Sequence, residues 1–212
     1  YVVGGKNYVA EISNAGGGSI VSFELSKHLK KSEDSLNLID NYNTKNLIVS
    51  FVNQSGEVVS LDKNWRLVSG ESAELSELKP NTSFVFATEY LDRTVTKELV
   101  FSYSSYEIDI SVSLRGLKDM SLDEKYTISW AGGLPEHEGS QDAMFMEALI
   151  SQAGSIESFR VGAAGFFGSS NTNSVESEEK KYVGHADFVG YRTKYFGLFF
   201  VPQKSDLVEI IK

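Results

Sequence analysis

Residues 106–115 read YEIDISVSLR. Tyr106, Ile108, Ile110, Val112 and Leu114 are apolar, and Glu107, Asp109, Ser111, Ser113 and Arg115 between them are polar. Five against five at a period of two predicts an antiparallel strand with one face in a core and the other in water. A slip of one residue would turn the whole apolar set outward, so its register is firmly specified. Upstream, Phe84, Phe86, Thr88 and Tyr90 alternate with Val85, Ala87 and Glu89, and Leu99, Phe101 and Tyr103 resume the pattern after Asp92-Arg93. The short connections make residues 83–114 a meander.

The same reading extends toward the N-terminus. Tyr8, Ala10 and Ile12 share one parity, and Val21, Phe23 and Leu25 share another, with Asn14, Ala15 and three adjacent glycines, Gly16 to Gly18, between the two runs. Glycines tolerate positive φ, so a hairpin is expected. A phosphate-binding loop is the competing reading, but it needs a following helix and commonly a lysine at set spacing, whereas the residues after Gly18 alternate as a strand. Residues 28–35 are charged and loop-like, 36–39 and 47–52 are short apolar strands, and 65–68 is another. Residues 70–81 form an acidic connection in which Leu75 and Leu78 would support one helical turn.

Toward the C-terminus, Tyr126, Ile128 and Trp130 form a strand that breaks at residues 131–135, AGGLP. Residues 142–152 are the one plausible helix, with Ala143, Met146, Leu149 and Ile150 near helical spacing; a strand over 146–152 competes with it. Residues 156–161 read as a strand, and 165–181 as a Gly/Ser/Asn-rich solvated loop ending in charges. Residues 183–201, VGHADFVGYRTKYFGLFFV, contain the longest apolar run, 196–201. Phe196, Leu198 and Phe200 share one parity and Tyr195, Phe199 and Val201 the other, which predicts a strand buried on both faces with Phe196, Leu198 and Phe200 in the core. Arg192 and Lys194 precede it where the chain meets water, and Pro202 ends it.

The totals bound the function. A chain of 212 residues suits one β domain, so residues 1–212 are read as a single unit. With no cysteine there is no disulfide, thiolate metal site or thiol nucleophile. A net charge of −9 argues against nucleic-acid binding and, weakly, against adhesion to an anionic membrane. The first residue is Tyr1, and residues 207–212 stop within an apolar pattern, so the chain reads as a piece of a longer protein.

Candidate chemistry is sparse. His28, His137 and His185 have no metal-ligand spacing. His137, between Glu136 and Glu138, has the neighbours of a general base, although a solvated loop histidine is the commoner case. His185 and Asp187, two apart on a strand, would share a face and could relay a proton; a structural or exposed pair is the plainer reading. No G-x-S-x-G elbow or Walker loop occurs. The ten tyrosines fall mostly on apolar parities and are expected in the core. No catalytic, metal or cofactor-binding residue is assigned, no cofactor is expected, and the binding residues are unknown.

At residues 190–196, G-Y-R-T-K-Y-F, the pattern G-x-R-x-K-Y-F followed by apolar residues resembles the periplasmic domain of the YidC family of membrane protein insertases. Residues 13–25, SNAGGGSIVSFEL, look like that domain's opening hairpin, and residues 126–134, YTISWAGGL, are similar to its strand ending in Trp and Gly. Phe188 stands where Trp is expected. The resemblance implies an all-β, antiparallel β-supersandwich of the galactose mutarotase type with few or no helices. It implies a monomeric, non-enzymatic accessory domain on the periplasmic face of a bacterial inner membrane. Its partners would be Sec translocon components or membrane-protein clients, with membrane segments lying outside this chain. The family's insertion groove is not part of that domain, so no insertion residue carries over. The alternative implied by the fold is a carbohydrate-binding or aldose-epimerase-like domain, for which fold alone decides nothing.

Overall fold

The computed structural model describes residues 1–26, 36–40, 45–131, 134–135, 145–160, 179–203 and 207–211. The chain forms two compact units, Tyr1–Gly132 and Gly133–Lys212. The first contains β1 (Val2–Gly4), β2 (Tyr8–Ser13), β3 (Ser19–Leu25), β4 (Leu36–Asp40), β5 (Asn46–Val52), β6 (Val58–Ser60), β7 (Arg66–Ser69), β8 (Ala73–Glu74), β9 (Asn81–Tyr90), β10 (Arg93–Ser102), β11 (Ile108–Leu114), a single helical turn α1 (Leu117–Met120), and β12 (Thr127–Trp130). These form sheets of order β4-β3-β2-β1-β8, β11-β10-β9-β7 and β12-β5-β6. Among the described residues every ladder is antiparallel except β1 with β8. The fold class is all-β, as the alternation predicted.

The meander sets the core of this unit. β9 and β10 pair over ten positions, from Arg93 opposite Tyr90 to Ser102 opposite Asn81. That pairing leaves only Leu91 and Asp92 for the turn, both at positive φ (46° and 60°). A two-residue turn of this hand matches the strand twist. Neither residue is a glycine, so the long ladder imposes the turn. Phe84 and Phe86 on β9 and Val95, Leu99 and Phe101 on β10 are all 0% exposed. Each contributes about 1.5–3 kcal/mol by leaving water. On β11 the predicted parity holds, with Ile108, Ile110, Val112 and Leu114 opposite Phe101, Leu99, Lys97 and Val95. As the sheet's outermost strand it keeps this face half-buried.

The second unit contains β13 (Glu147–Gln152), β14 (Ser155–Arg160), β15 (Glu179–Val183), β16 (Phe188–Arg192), β17 (Gly197–Phe200) and β18 (Leu207–Ile211). Its sheets are β14-β13-β16-β17 and β15-β18, all antiparallel. Residues 147–152 form a strand, the reading that competed with a helix over 142–152; residues 142–144 lie outside the described residues. The reason is the turn that follows. Ala153 and Gly154 both have positive φ (51° and 77°) and fold β14 back onto β13 as a hairpin.

No helical turn forms around Leu75 and Leu78. The Leu75 amide donates to the Gly4 carbonyl beside the β1–β8 ladder, while Leu78 is 99% exposed. Glu179, Lys180 and Lys181 lie in β15, held by β18, and not in a loop; residues 28–35 and 165–178 lie outside the described residues. Residues 188–200 are a hairpin, with Thr193–Phe196 as its loop. The run 196–201 is not buried on both faces: Phe196, Leu198 and Phe200 are half-buried, and Phe199 and Val201 are exposed. Among the described residues β17 pairs only with β16, so apolar side chains lie on both faces of an outer strand. Among the described residues Tyr8 is the tyrosine that reaches the core; Tyr1, Tyr106, Tyr126 and Tyr195 are exposed.

Candidate functional site

The glycine turn is the most tightly built feature of the first unit. Gly16, Gly17 and Gly18 have φ of 58°, 76° and 103°. A Cβ on Gly17 would lie 2.6 Å from the Trp65 ring, and one on Gly18 would lie 2.7 Å from Leu99 and 2.9 Å from Phe86. The glycines therefore serve both turn and packing. Ser19 Oγ, with one hydrogen to donate, lies 2.9 Å from the Ala15 carbonyl and 2.8 Å from the Asn46 carbonyl, and it accepts from the Asn46 amide. The Asn46 side chain accepts from the Ile20 amide and donates to the Ile20 carbonyl, standing in for a strand neighbour. The turn opens into β3 and not into the helix that a phosphate loop needs, and its glycines face the apolar side chains of Ile48, Trp65, Leu99 and Phe86.

Lys97 lies at the centre. It sits on the apolar parity of Val95, Leu99 and Phe101 and is 0% exposed. Its Nζ donates to the carbonyls of Gly16 (2.6 Å) and Leu47 (2.5 Å) and stands 5.5 Å from the centroid of the Trp65 ring. Leu47 has φ 56°, and its carbonyl meets the amine from that backbone conformation. Burial pushes the Lys97 amine down from 10.5 to about 7. The sequence did signal this residue, as a lysine where the pattern of alternate core positions requires an apolar side chain.

In the second unit the residues of the G-x-R-x-K-Y-F pattern come together on one sheet. Glu147, Leu149 and Ser151 of β13 lie opposite Arg192, Gly190 and Phe188 of β16. Arg192 donates from Nε (3.1 Å) and Nη2 (2.8 Å) to Glu147 Oε2. The Phe199 ring lies over the backbone of Gly190 and Gly197, and a Cβ at either position would run into it. It also meets Phe188 edge-on, at 5.5 Å between centroids. Gly190 of the pattern and Gly197 just after it thus make room for an aromatic ring on the sheet surface, where it stays 47% exposed. Thr193 closes the loop, its amide donating to the Phe196 carbonyl and its Oγ1 accepting from the Phe196 amide. Lys194 stands over the rings of Tyr195 (4.7 Å) and Phe145 (5.7 Å). This face offers exposed rings and cationic side chains, groups that are common at contact surfaces.

His185 and Asp187 lie in the exposed turn before β16, not on a strand. Asp187 Oδ2 accepts from Ser151 Oγ at 2.9 Å, and its amide donates to the Ser151 carbonyl, so the carboxylate anchors that turn. His28, Glu136, His137 and Glu138 lie outside the described residues. Among the described residues no three His, Asp or Glu side chains gather as metal ligands would, and no helix is long and apolar enough to cross a membrane.

The family model described as the YidC periplasmic domain matches residues 2–210. The protein named membrane protein insertase YidC of Prosthecochloris aestuarii is 25% identical over 210 residues, covering 94% of this chain and 33% of that protein. Those of Chlorobaculum parvum (25% over 200 residues; 93% and 32%) and Chlorobium limicola (26% over 189 residues; 88% and 31%) are similar to the same extent. The chain spans about a third of the length of the curated relatives it matches. No solved structure matches it.

Proposed function

The chain belongs to the YidC periplasmic-domain family, and from that premise we propose that it is a non-enzymatic accessory domain of a membrane protein insertase. In this reading it stands on the periplasmic face of a bacterial inner membrane, tethered by segments outside this chain. Both compact units serve one periplasmic domain, which acts as a monomer. It contacts Sec translocon components or the membrane proteins being inserted and folded, alone or beside the translocon.

The observation that carries the reading is the family match over residues 2–210. Two features of the structure support it. Arg192, the sequence pattern's one arginine, is spent on Glu147. Near it, the rings of Tyr195 and Phe199 and the Lys194 side chain reach solvent. Such a surface suits transient contact, since an accessory domain must release its clients.

Isothermal titration tests the proposal. The chain should bind a translocon periplasmic domain or an unfolded apolar peptide at about micromolar affinity or weaker, roughly −8 kcal/mol. Stoichiometric binding of a monosaccharide with no response to either protein partner would favour a carbohydrate-binding domain instead.

A further inference from the structure

Lys97 joins three sheets of the first unit at one nitrogen. It projects from β10, and its two acceptors belong to the glycine turn between β2 and β3 and to β5. A neutral amine has two N–H groups, and the site offers two carbonyls. An ammonium has three, and the third meets only the face of Trp65. No carboxylate pairs with Lys97 among the described residues. The turn, residues 14–18, carries no charged side chain, nor does β5. Across from Lys97 on β9 and β11 stand Phe86 and Val112. The charged groups on neighbouring segments turn elsewhere. Asp62 and Lys63 are exposed, the first paired with Lys45 and the second donating to the Glu89 carbonyl. Arg66 and Glu89 are exposed, and Glu98 belongs to the other face of β10.

We propose that Lys97 is a pH-sensitive latch: while its amine is neutral it ties the glycine turn to β5, and protonation, unmatched by any counter-charge among the described residues, favours release of the turn. The direction follows from linkage. The buried amine titrates at about 7 and an exposed lysine at 10.5. The latch is therefore fully effective above pH 10.5 and weakens as pH falls toward 7, because the open form binds the proton more tightly. Below about 7 both forms are protonated and the loss levels off. Between pH 9 and pH 6 the opening constant should rise about a hundredfold.

The test is hydrogen exchange on the 212-residue chain at pH 6 to 9, corrected for the intrinsic rate. The reporters are the amides of Gly16, Ser19, Ile20 and Asn46, which donate to Lys63 O, Ala15 O, Asn46 Oδ1 and Ser19 Oγ. The expected result is that rise in opening in the native chain, a flat profile in Lys97→Met, and no change at the Asp187 amide of the second unit. Identical profiles in the two proteins, or a flat native profile, would overturn the proposal. Should Lys97→Met fail to fold, the Lys97 side-chain nitrogen is titrated by NMR in the native chain. A midpoint near 7 supports the latch and one above 9 rejects it.

Discussion

Replacing Gly18 by alanine separates two roles of the glycine turn. The backbone there has φ 103°, a conformation that costs a residue with a Cβ about 1–3 kcal/mol. The new methyl would also lie 2.7 Å from Leu99 and 2.9 Å from Phe86. Both are 0% exposed and have nowhere to move, so overpacking adds about 1–3 kcal/mol. A less flexible unfolded chain returns about 0.4–1 kcal/mol. The net loss is about 3 kcal/mol. Gly56 is the control: it has φ 81° but nothing within 4 Å of an added Cβ. Gly56→Ala carries the backbone strain alone and should cost about 1 kcal/mol. Urea unfolding of the two variants beside the native chain measures the difference. Equal losses, within about 0.5 kcal/mol, would refute the claim that the turn is built against the core.

Phe86→Ala should cost about 3–5 kcal/mol and Phe199→Ala about 1 kcal/mol, because the first ring is 0% exposed and the second 47%; denaturant midpoints check the order. Burial raises the Tyr8 hydroxyl, which donates to the Ser102 carbonyl, to about 12 against an ordinary 10. A raised folded value gives stability that is complete below pH 10 and lost as pH climbs from 10 to 12, about 3 kcal/mol in all. Tyr8→Phe should remove that alkaline loss while keeping the ring stacked on Phe23 at 4.9 Å; matching stability profiles above pH 10 would contradict it.

What the sequence disclosed follows physical lines. The alternation over residues 106–115 and the hairpin around the three glycines were legible, because a period of two and a run of positive-φ residues are local signals. Residues 147–152 misled because Ala143, Met146, Leu149 and Ile150 have helical spacing; the deciding signal was Ala153-Gly154 followed by another strand. The hairpin over residues 188–200 was hidden because its loop, Thr193–Phe196, has no Gly, Asn or Pro and closes through a threonine hydroxyl. The apolar run after it looked like a buried strand because its side chains do not reveal what lies over either face. Lys97 escaped notice because a lysine on an apolar parity looks like an interruption, and only three-dimensional packing shows the two carbonyls awaiting it. The family was legible from the order of its motifs, which physical reasoning about single residues does not supply.

We propose above that this domain works by touching other proteins during membrane insertion. Photocrosslinking tests it most directly, with a photoreactive residue at exposed Tyr195 or Phe199 in the full-length parent while a membrane protein inserts into vesicles. Crosslinks to the inserting chain or to a translocon subunit are expected, and they should fade when insertion is complete. Insertion that proceeds normally with no crosslink from either position would contradict it.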